Sequence, residues 1–217
     1  MEPIELFSYW RSSAAYRVRI GLNLKGLPHR ITPVHLVREG GEQHSAAYAA
    51  LNPQELVPTL RHGDRVLQQS MAILEYLDEV FPATPLLPSD AEGRARVRAL
   101  AQLVACDLHP LNNLRVMQYL ERTLQASAEA RTAWTLHWMA EGLAAMETLL
   151  ADHLATGTFC HGDQPGLADA CLVPQLYNAH RFGLALAPYP TLQRIEAACL
   201  ALPAFDAARP EHQIDAG

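Results

Sequence analysis

Two serines, Ser12 and Ser13, follow Arg11 and stand directly ahead of a run with helical apolar spacing. Serine is a favoured N-cap, because its oxygen accepts an otherwise unpaired N–H of the first turn. A helix N-terminus also gathers unpaired N–H groups and the positive end of the helix dipole, so a serine there can help hold an anion. Both readings of Ser12 stand at this level. Gln69-Ser70 repeats the arrangement at a strand-to-helix turn, where Ser70 is either a plain N-cap or part of a seat for a carboxylate. Arginine grips carboxylates with two parallel N–H bonds. Three arginines are candidates for that work: Arg11 beside the serines, Arg115 near His109 and Asn113, and Arg181. For each the bland alternative is a solvated surface charge.

The elements that would carry these residues fall into two halves. Ile4 to Ser8 reads as a strand, and Ala14 to Lys25 as a helix, with Ala15, Val18 and Leu22 on one face and Gly26 as its stop. His29 to Leu36 alternates like a second strand. Ser45 to Leu51 reads as a short helix ended by Asn52-Pro53, Pro58 to His62 and Arg65 to Gln68 as a hairpin, and Met71 to Val80 as a helix capped by Ser70. The order is βαβ followed by ββα. Pro82, Pro85 and Pro88 then break any helix. Beyond them the pattern is helical, with Val97, Leu100, Val104, Leu108 and Leu111 in one stripe and Met139, Leu143, Met146 and Leu150 in another. The expected organisation is therefore an α/β domain over 1–82, a linker over 83–89 and an all-helical domain over 90–217.

Composition excludes several classes of function. The 217 residues are 49% hydrophobic and 18% charged, with a formal net charge of -6, which fits a folded domain and offers no basic tract for nucleic acid. No apolar run is long enough for a membrane span, and the acidic Met1-Glu2-Pro3-Ile4-Glu5 start does not resemble a signal peptide. The four cysteines, Cys106, Cys160, Cys171 and Cys199, are scattered without metal-ligand spacing, as expected of buried thiols in a reduced cytoplasmic protein. Arg94, Arg96 and Arg98 read as an exposed helix face, and Arg17 and Arg19 as structural.

Five blocks together carry a family resemblance. Ser12-Ser13-Ala14-Ala15-Tyr16-Arg17-Val18-Arg19-Ile20-Gly21-Leu22 resembles the zeta-class glutathione-transferase signature Ser-Ser-Cys-x-Trp-Arg-Val-Arg-Ile-Ala-Leu. Asn52-Pro53-Gln54-Glu55-Leu56-Val57-Pro58-Thr59-Leu60 resembles the family's NP-x-x-x-VP-x-L, and Gln69-Ser70-Met71-Ala72-Ile73-Leu74-Glu75-Tyr76-Leu77 its QS-x-AI-x-EYL. Cys106 to Val116 is similar to the helix lining the family's active site, and Leu167 to Gln175 matches LAD-x-x-LVPQ. The blocks are in order and span nearly the whole chain.

The resemblance implies a thioredoxin-like N-terminal domain, a helical glutathione-transferase C-terminal domain, a homodimer and glutathione as cofactor. It implies a cis–trans isomerase of a small maleyl keto-dicarboxylate, working by reversible thiolate addition. A general transferase that conjugates or dehalogenates electrophiles is the alternative. Ser12 is then the thiol partner, with Arg11 beside it. Ser13, Gln43, Gln54, Val57, a cis Pro58, Gln69, Ser70, His109 and Asn113 would contact glutathione, and Arg11, Arg115 and Arg181 the substrate. Ala14 stands where the signature has cysteine, Tyr16 where it has tryptophan and Leu114 where a maleylpyruvate-isomerizing relative has arginine, so no cysteine takes part in catalysis here. Gly166 replaces a capping Ser or Thr.

Overall fold

The computed structural model describes residues 2–216. Two compact units divide the chain: Met1–Leu86 together with Ala201–Gly217, and Leu87–Leu200.

In the first unit, β1 (Ile4–Ser8), β2 (Arg30–Pro33), β3 (Thr59–His62) and β4 (Arg65–Gln68) form one sheet in the order β2-β1-β3-β4. β1 and β2 are parallel, and β1–β3 and β3–β4 antiparallel. Helices α1 (Ser13–Leu24) and α3 (Ser70–Val80) pack on each other. The helical stripe read from sequence explains this: Ala15, Val18, Leu22, Ile73, Leu74 and Leu77 are fully buried, as are Leu6 and Leu60 of the sheet. Gly21 is the contact point, since a Cβ there would stand 2.2 Å from Leu74 Cδ2. Short α2 (Ala46–Leu51) supplies Tyr48 to a second cluster with Phe7, Tyr9, Val34 and Val57. The thioredoxin-like expectation holds.

Gly26 ends α1 as read, with φ +62 and the N–H of Leu27 returned to Leu22 O at 3.0 Å. Lys25, almost wholly buried, then ties the helix end to Asp78 of α3 (2.9 Å) and to the carbonyls of Phe81 and Thr84. Three details differ from the sequence reading. The second strand stops at Pro33. Ser70 is the first helical residue and not the cap, because Gln69 occupies the cap with φ +69 and makes no side-chain capping bond. The residues from Ala201 onward, expected to finish the helical domain, belong to the first unit: α10 (Pro203–Asp206) packs on α1, and Arg19 and Asn23 bond to the carbonyls of Ala208 and Ala204.

The second unit is helical: α4 (Ala91–Gln102), a π-helical stretch (Leu103–Leu108), α5 (His109–Leu111), α6 (Leu114–Arg122), α7 (Ala128–Ala151), α8 (Leu167–Phe182) and α9 (Pro190–Leu200). Val97, Leu100, Val104 and Leu108 form a continuous buried seam. Gly142 of α7 lets Leu108 approach so closely that a Cβ would clash at 1.9 Å. At the start of α8 the fully buried Asp169 accepts N–H bonds from Gly166 and Cys160, both 2.8 Å. Burial pushes its carboxyl above the ordinary range, against those bonds. Arg96 is not a solvated charge: it binds the Cys160 carbonyl at 2.7 Å and Thr156 Oγ1 at 2.8 Å. Cys160, Cys171 and Cys199 are buried, whereas Cys106 is exposed, and all four are free thiols.

Candidate active site

The register of the sheet assembles the site. Phe7 pairs with Thr59, and Thr59 with Gln68. The chain after β1, the chain before β3 and the chain after β4 therefore all leave the sheet at one end. That end receives Ser12, Val57-Pro58 and Gln69-Ser70.

Ser12 has extended backbone (φ -69, ψ 115) and caps α1, its Oγ accepting from the Ala15 N–H at 3.2 Å. The two sequence readings of Ser12 are thereby compatible. Capping uses a lone pair of the oxygen and leaves the hydroxyl hydrogen to donate to an anion. The loop before it is pinned by the buried Arg19, which donates to Ser8 Oγ (3.1 Å), Tyr9 O (3.4 Å) and Trp10 O (3.0 Å). Arg11 is exposed. It lies over the Trp10 ring, 4.7 Å from its centroid, and donates to the Tyr9 hydroxyl at 3.3 Å. Ser13 is buried in the first turn of α1. Ala14, in place of a thiol, leaves no cysteine there.

The Val57–Pro58 peptide is cis. The loop leading into it is held by Asn52 Nδ2 and the Tyr48 hydroxyl, both donating to Leu56 O at 2.7 Å. Burial pushes the Tyr48 phenol upward, so it remains a neutral donor. Gln69 and Gln54 come together, Gln69 Nε2 donating to Gln54 Oε1 at 2.7 Å. Ser70 is buried, and Arg17 Nη1 donates to its Oγ at 3.2 Å, linking the start of α3 to α1. Gln43 is buried and donates through Nε2 to Leu36 O at 3.3 Å, while its Oε1 is enclosed with no protein partner among the described residues. That unsatisfied acceptor and the start of α3, which has no side-chain cap, fit a ligand bringing both N–H donors and a carboxylate.

His109, Asn113, Arg115 and Arg181 belong to the second unit. His109 opens α5 directly after the π-helical stretch. Asn113 caps α6, its Oδ1 accepting from the Arg115 N–H at 3.1 Å. Trp134 pins this turn to α7 through a 2.9 Å bond to Leu111 O. Arg115 is exposed on the first turn of α6. Arg181 is exposed on the last turn of α8, with its guanidinium 4.6 Å from the Phe182 ring centroid. Sequence reasoning passed over Tyr9, Trp10 and Asp215, which hold the Ser12 loop. An aromatic pair just ahead of Arg11 was a usable signal for the first two. Nothing local points to Asp215.

Models of the glutathione S-transferase N-terminal domain and C-terminal domain match residues 11–80 and 120–211. A probable maleylacetoacetate isomerase of Vibrio cholerae is 51% identical over 216 residues, covering 100% of both chains. The chain belongs to the glutathione S-transferase family, zeta class. A solved holo structure of maleylpyruvate isomerase, a bacterial zeta-class enzyme, superposes with a TM-score of 0.95 at 48% identity, over 98% of this chain and 100% of that one. The maleylacetoacetate isomerase of Anaeromyxobacter dehalogenans, solved with dicarboxyethyl glutathione and citrate in its active site, gives a TM-score of 0.87 at 48% identity over 100% of both chains. Among the described residues no helix is long and apolar enough to cross a membrane, and no group of three or more His, Cys, Asp or Glu could hold a metal ion.

Proposed function

We propose that the chain is a glutathione-dependent cis–trans isomerase of a maleyl keto-dicarboxylate, either maleylpyruvate or maleylacetoacetate, in the breakdown of aromatic compounds. The observation that carries this is Ser12: a hydroxyl fixed by its capping bond at the N-terminus of α1, with its hydrogen still available. Bound glutathione supplies the nucleophilic sulfur whose reversible addition turns the cis double bond into one free to rotate. A free thiol has a pKa near 8.5 and is mostly protonated at neutral pH, about 3% thiolate. Ser12 and the first-turn N–H groups of α1 lower that value by donating to, and electrostatically favouring, the anion. Val57 presents its backbone to the cysteinyl part of the peptide. Ser70, Gln69 and the start of α3 receive a carboxylate, while Gln43 and Gln54 give further polar contacts. Ser13 completes the first turn of α1. His109 and Asn113 are contacts from the helical unit.

The substrate bears two carboxylates, which call for Arg11, Arg115 and Arg181. These side chains hold and orient it, and Arg11 also stabilises charge developing beside the sulfur. The exposed guanidiniums favour a dianionic substrate over an apolar electrophile, and so favour the isomerase over a general conjugating or dehalogenating transferase. A cytoplasmic homodimer is part of the proposal. The test is absorbance-monitored turnover of both maleyl compounds with and without glutathione. Turnover of either only with glutathione is the expected result. Glutathione binding without any isomerisation would move the reading to the conjugating transferase.

A further inference from the structure

The segment following Ala201 returns to the loop that carries Ser12, and it does so with one side chain. The Trp10 N–H donates to Asp215 Oδ2 at 3.0 Å, across 205 positions of sequence. The Trp10 carbonyl accepts from Arg19 Nη2 at 3.0 Å. The peptide planes on both sides of Trp10 are thereby fixed, and with them the direction in which Arg11 and Ser12 leave the sheet. The same guanidinium that holds Trp10 O also holds Ala208 O, through Nε at 2.9 Å. Phe205 is fully buried, and Gln213 Nε2 donates to the carbonyls of Ala207 (3.1 Å) and Arg209 (2.8 Å). Asp215 therefore arrives on a stiff support. Its second oxygen, Oδ1, is enclosed without a protein partner among the described residues. A carboxylate kept half-satisfied is a costly way to fill space.

We propose that Asp215 is a positioning residue for Ser12: it sets the β1–α1 loop so that the Ser12 hydroxyl meets the glutathione sulfur. The proposal rests on the reading that glutathione binds at Ser12. Its sign separates it from plain electrostatics. Removing a nearby negative charge favours a thiolate, so charge loss alone lowers the thiol pKa in any Asp215 variant. Loss of Ser12 alignment raises it instead.

The test titrates the ultraviolet absorbance of enzyme-bound glutathione thiolate against pH in the full chain, in D215A and in D215N. Asparagine keeps an oxygen that accepts from Trp10 N–H without the charge. The expected result is a rise of about one unit in the apparent thiol pKa for D215A, roughly a tenfold loss of thiolate at fixed pH. D215N stays at or below the wild-type value. A shift downward in both variants, an unchanged titration in a folded D215A, or failure of both variants to fold would overturn the proposal. Hydrogen exchange supplies a readout independent of the ligand: amides of residues 9–15 exchange faster in D215A but not in D215N. Wild-type protein that binds glutathione as a thiolate yet turns over neither maleyl compound would end the isomerase reading and leave this one standing. Should the wild type bind no glutathione, the function falls, and exchange that is unaltered in D215A removes the latch as well.

Discussion

The loop that carries Ser12 and the helix ends that carry Arg115 and Arg181 are built on opposite principles. Around Ser12 the backbone is stitched by side chains from outside the loop, Arg19 to Tyr9 and Trp10 and the distant Asp215 to Trp10, while Arg17 ties α1 to the Ser70 side chain. Arg115 and Arg181 stand exposed on single helical turns, Arg115 with its backbone N–H capped by Asn113 and Arg181 beside the Phe182 ring. The contrast teaches where each kind of precision is needed. Lowering the pKa of a thiol needs donors fixed to a fraction of an ångström. Gripping a flexible dicarboxylate needs charge and reach, and tolerates adjustment.

The strongest way to break the comparison is to cut the stitching. Arg19→Met keeps the stem and removes every guanidinium bond, stranding the carbonyls of Ala208 and Trp10, while Tyr9 O keeps the Ser12 N–H at 2.9 Å. Losses of about 1–3 kcal/mol for each of these two groups put the destabilisation at roughly 2–6 kcal/mol. Urea unfolding measures it. A loss below about 1 kcal/mol would mean that the loop holds itself.

Next comes Ser12→Ala. It removes a cap worth about 1 kcal/mol and a donor at a developing charge, where such losses reduce turnover by about a hundredfold or more. The expected outcome is a small fall in melting temperature with a large fall in kcat, seen in paired thermal and kinetic measurements. A fall in stability with unchanged kcat would return Ser12 to a purely capping role.

Arg181→Ala and Arg115→Ala probe the other side. Exposed charges should cost substrate affinity alone. About a tenfold rise in KM for the maleyl substrate is expected, with glutathione affinity unchanged, since a charged contact is worth about 1.5–3 kcal/mol at most. Steady-state kinetics with each ligand varied in turn reads the split. Equal loss for both ligands would show that the two regions are not separable.

Much of the first unit was legible in the sequence because its signals are local. Gly26, the Gly63-Asp64 turn and the serines ahead of Ala14 each act on their nearest neighbours, and the hairpin formed at the positions read for it. Ser70 was misplaced because a non-glycine residue, Gln69, takes a positive φ, and no residue-type preference announces that. Arg96 was misread as solvated because its partners, Thr156 and Cys160, lie some 60 positions on. The docking of the segment beyond Ala201 was invisible for the same reason. Asp215 and Arg19 come to the two sides of Trp10 only after the fold has formed. In the candidate site, residue types were legible through the family pattern, while the bonds that hold them were not.

A smaller effect concerns pH. Glu5 lies buried in β1 between Arg30, Thr32 and Arg61. Burial pushes its carboxyl up, but the Thr32 and Arg30 hydrogen bonds and the charges of Arg61 and Arg30 outweigh it, and the net shift is downward. A folded-state value below the unfolded one adds stability above the unfolded pKa, about 4.3, and loses it as pH falls through the folded value. The stability difference between wild type and Glu5→Gln is therefore expected to be full at neutral pH and to shrink below about pH 4. Urea midpoints across that range test it. A difference that grows on acidification would reverse the sign assigned to Glu5.

The least effect is expected at Gly166, and it bounds the comparison from the helical side. Gly166 caps α8 with φ -142 and ψ -159, an extended conformation open to any residue, and its N–H already donates to Asp169. Gly166→Ser restores the missing half of the pair, a hydroxyl facing the first-turn N–H groups. Serine exceeds glycine as a cap by only a few tenths of a kcal/mol. For a chain of this size that is a rise of about 1 °C in melting temperature, measured by calorimetry, with kcat and both KM values unchanged. A change in KM for the maleyl substrate would show that the start of α8 reaches Arg181 at its other end, and that the helical side is less locally built than its exposed arginines suggest.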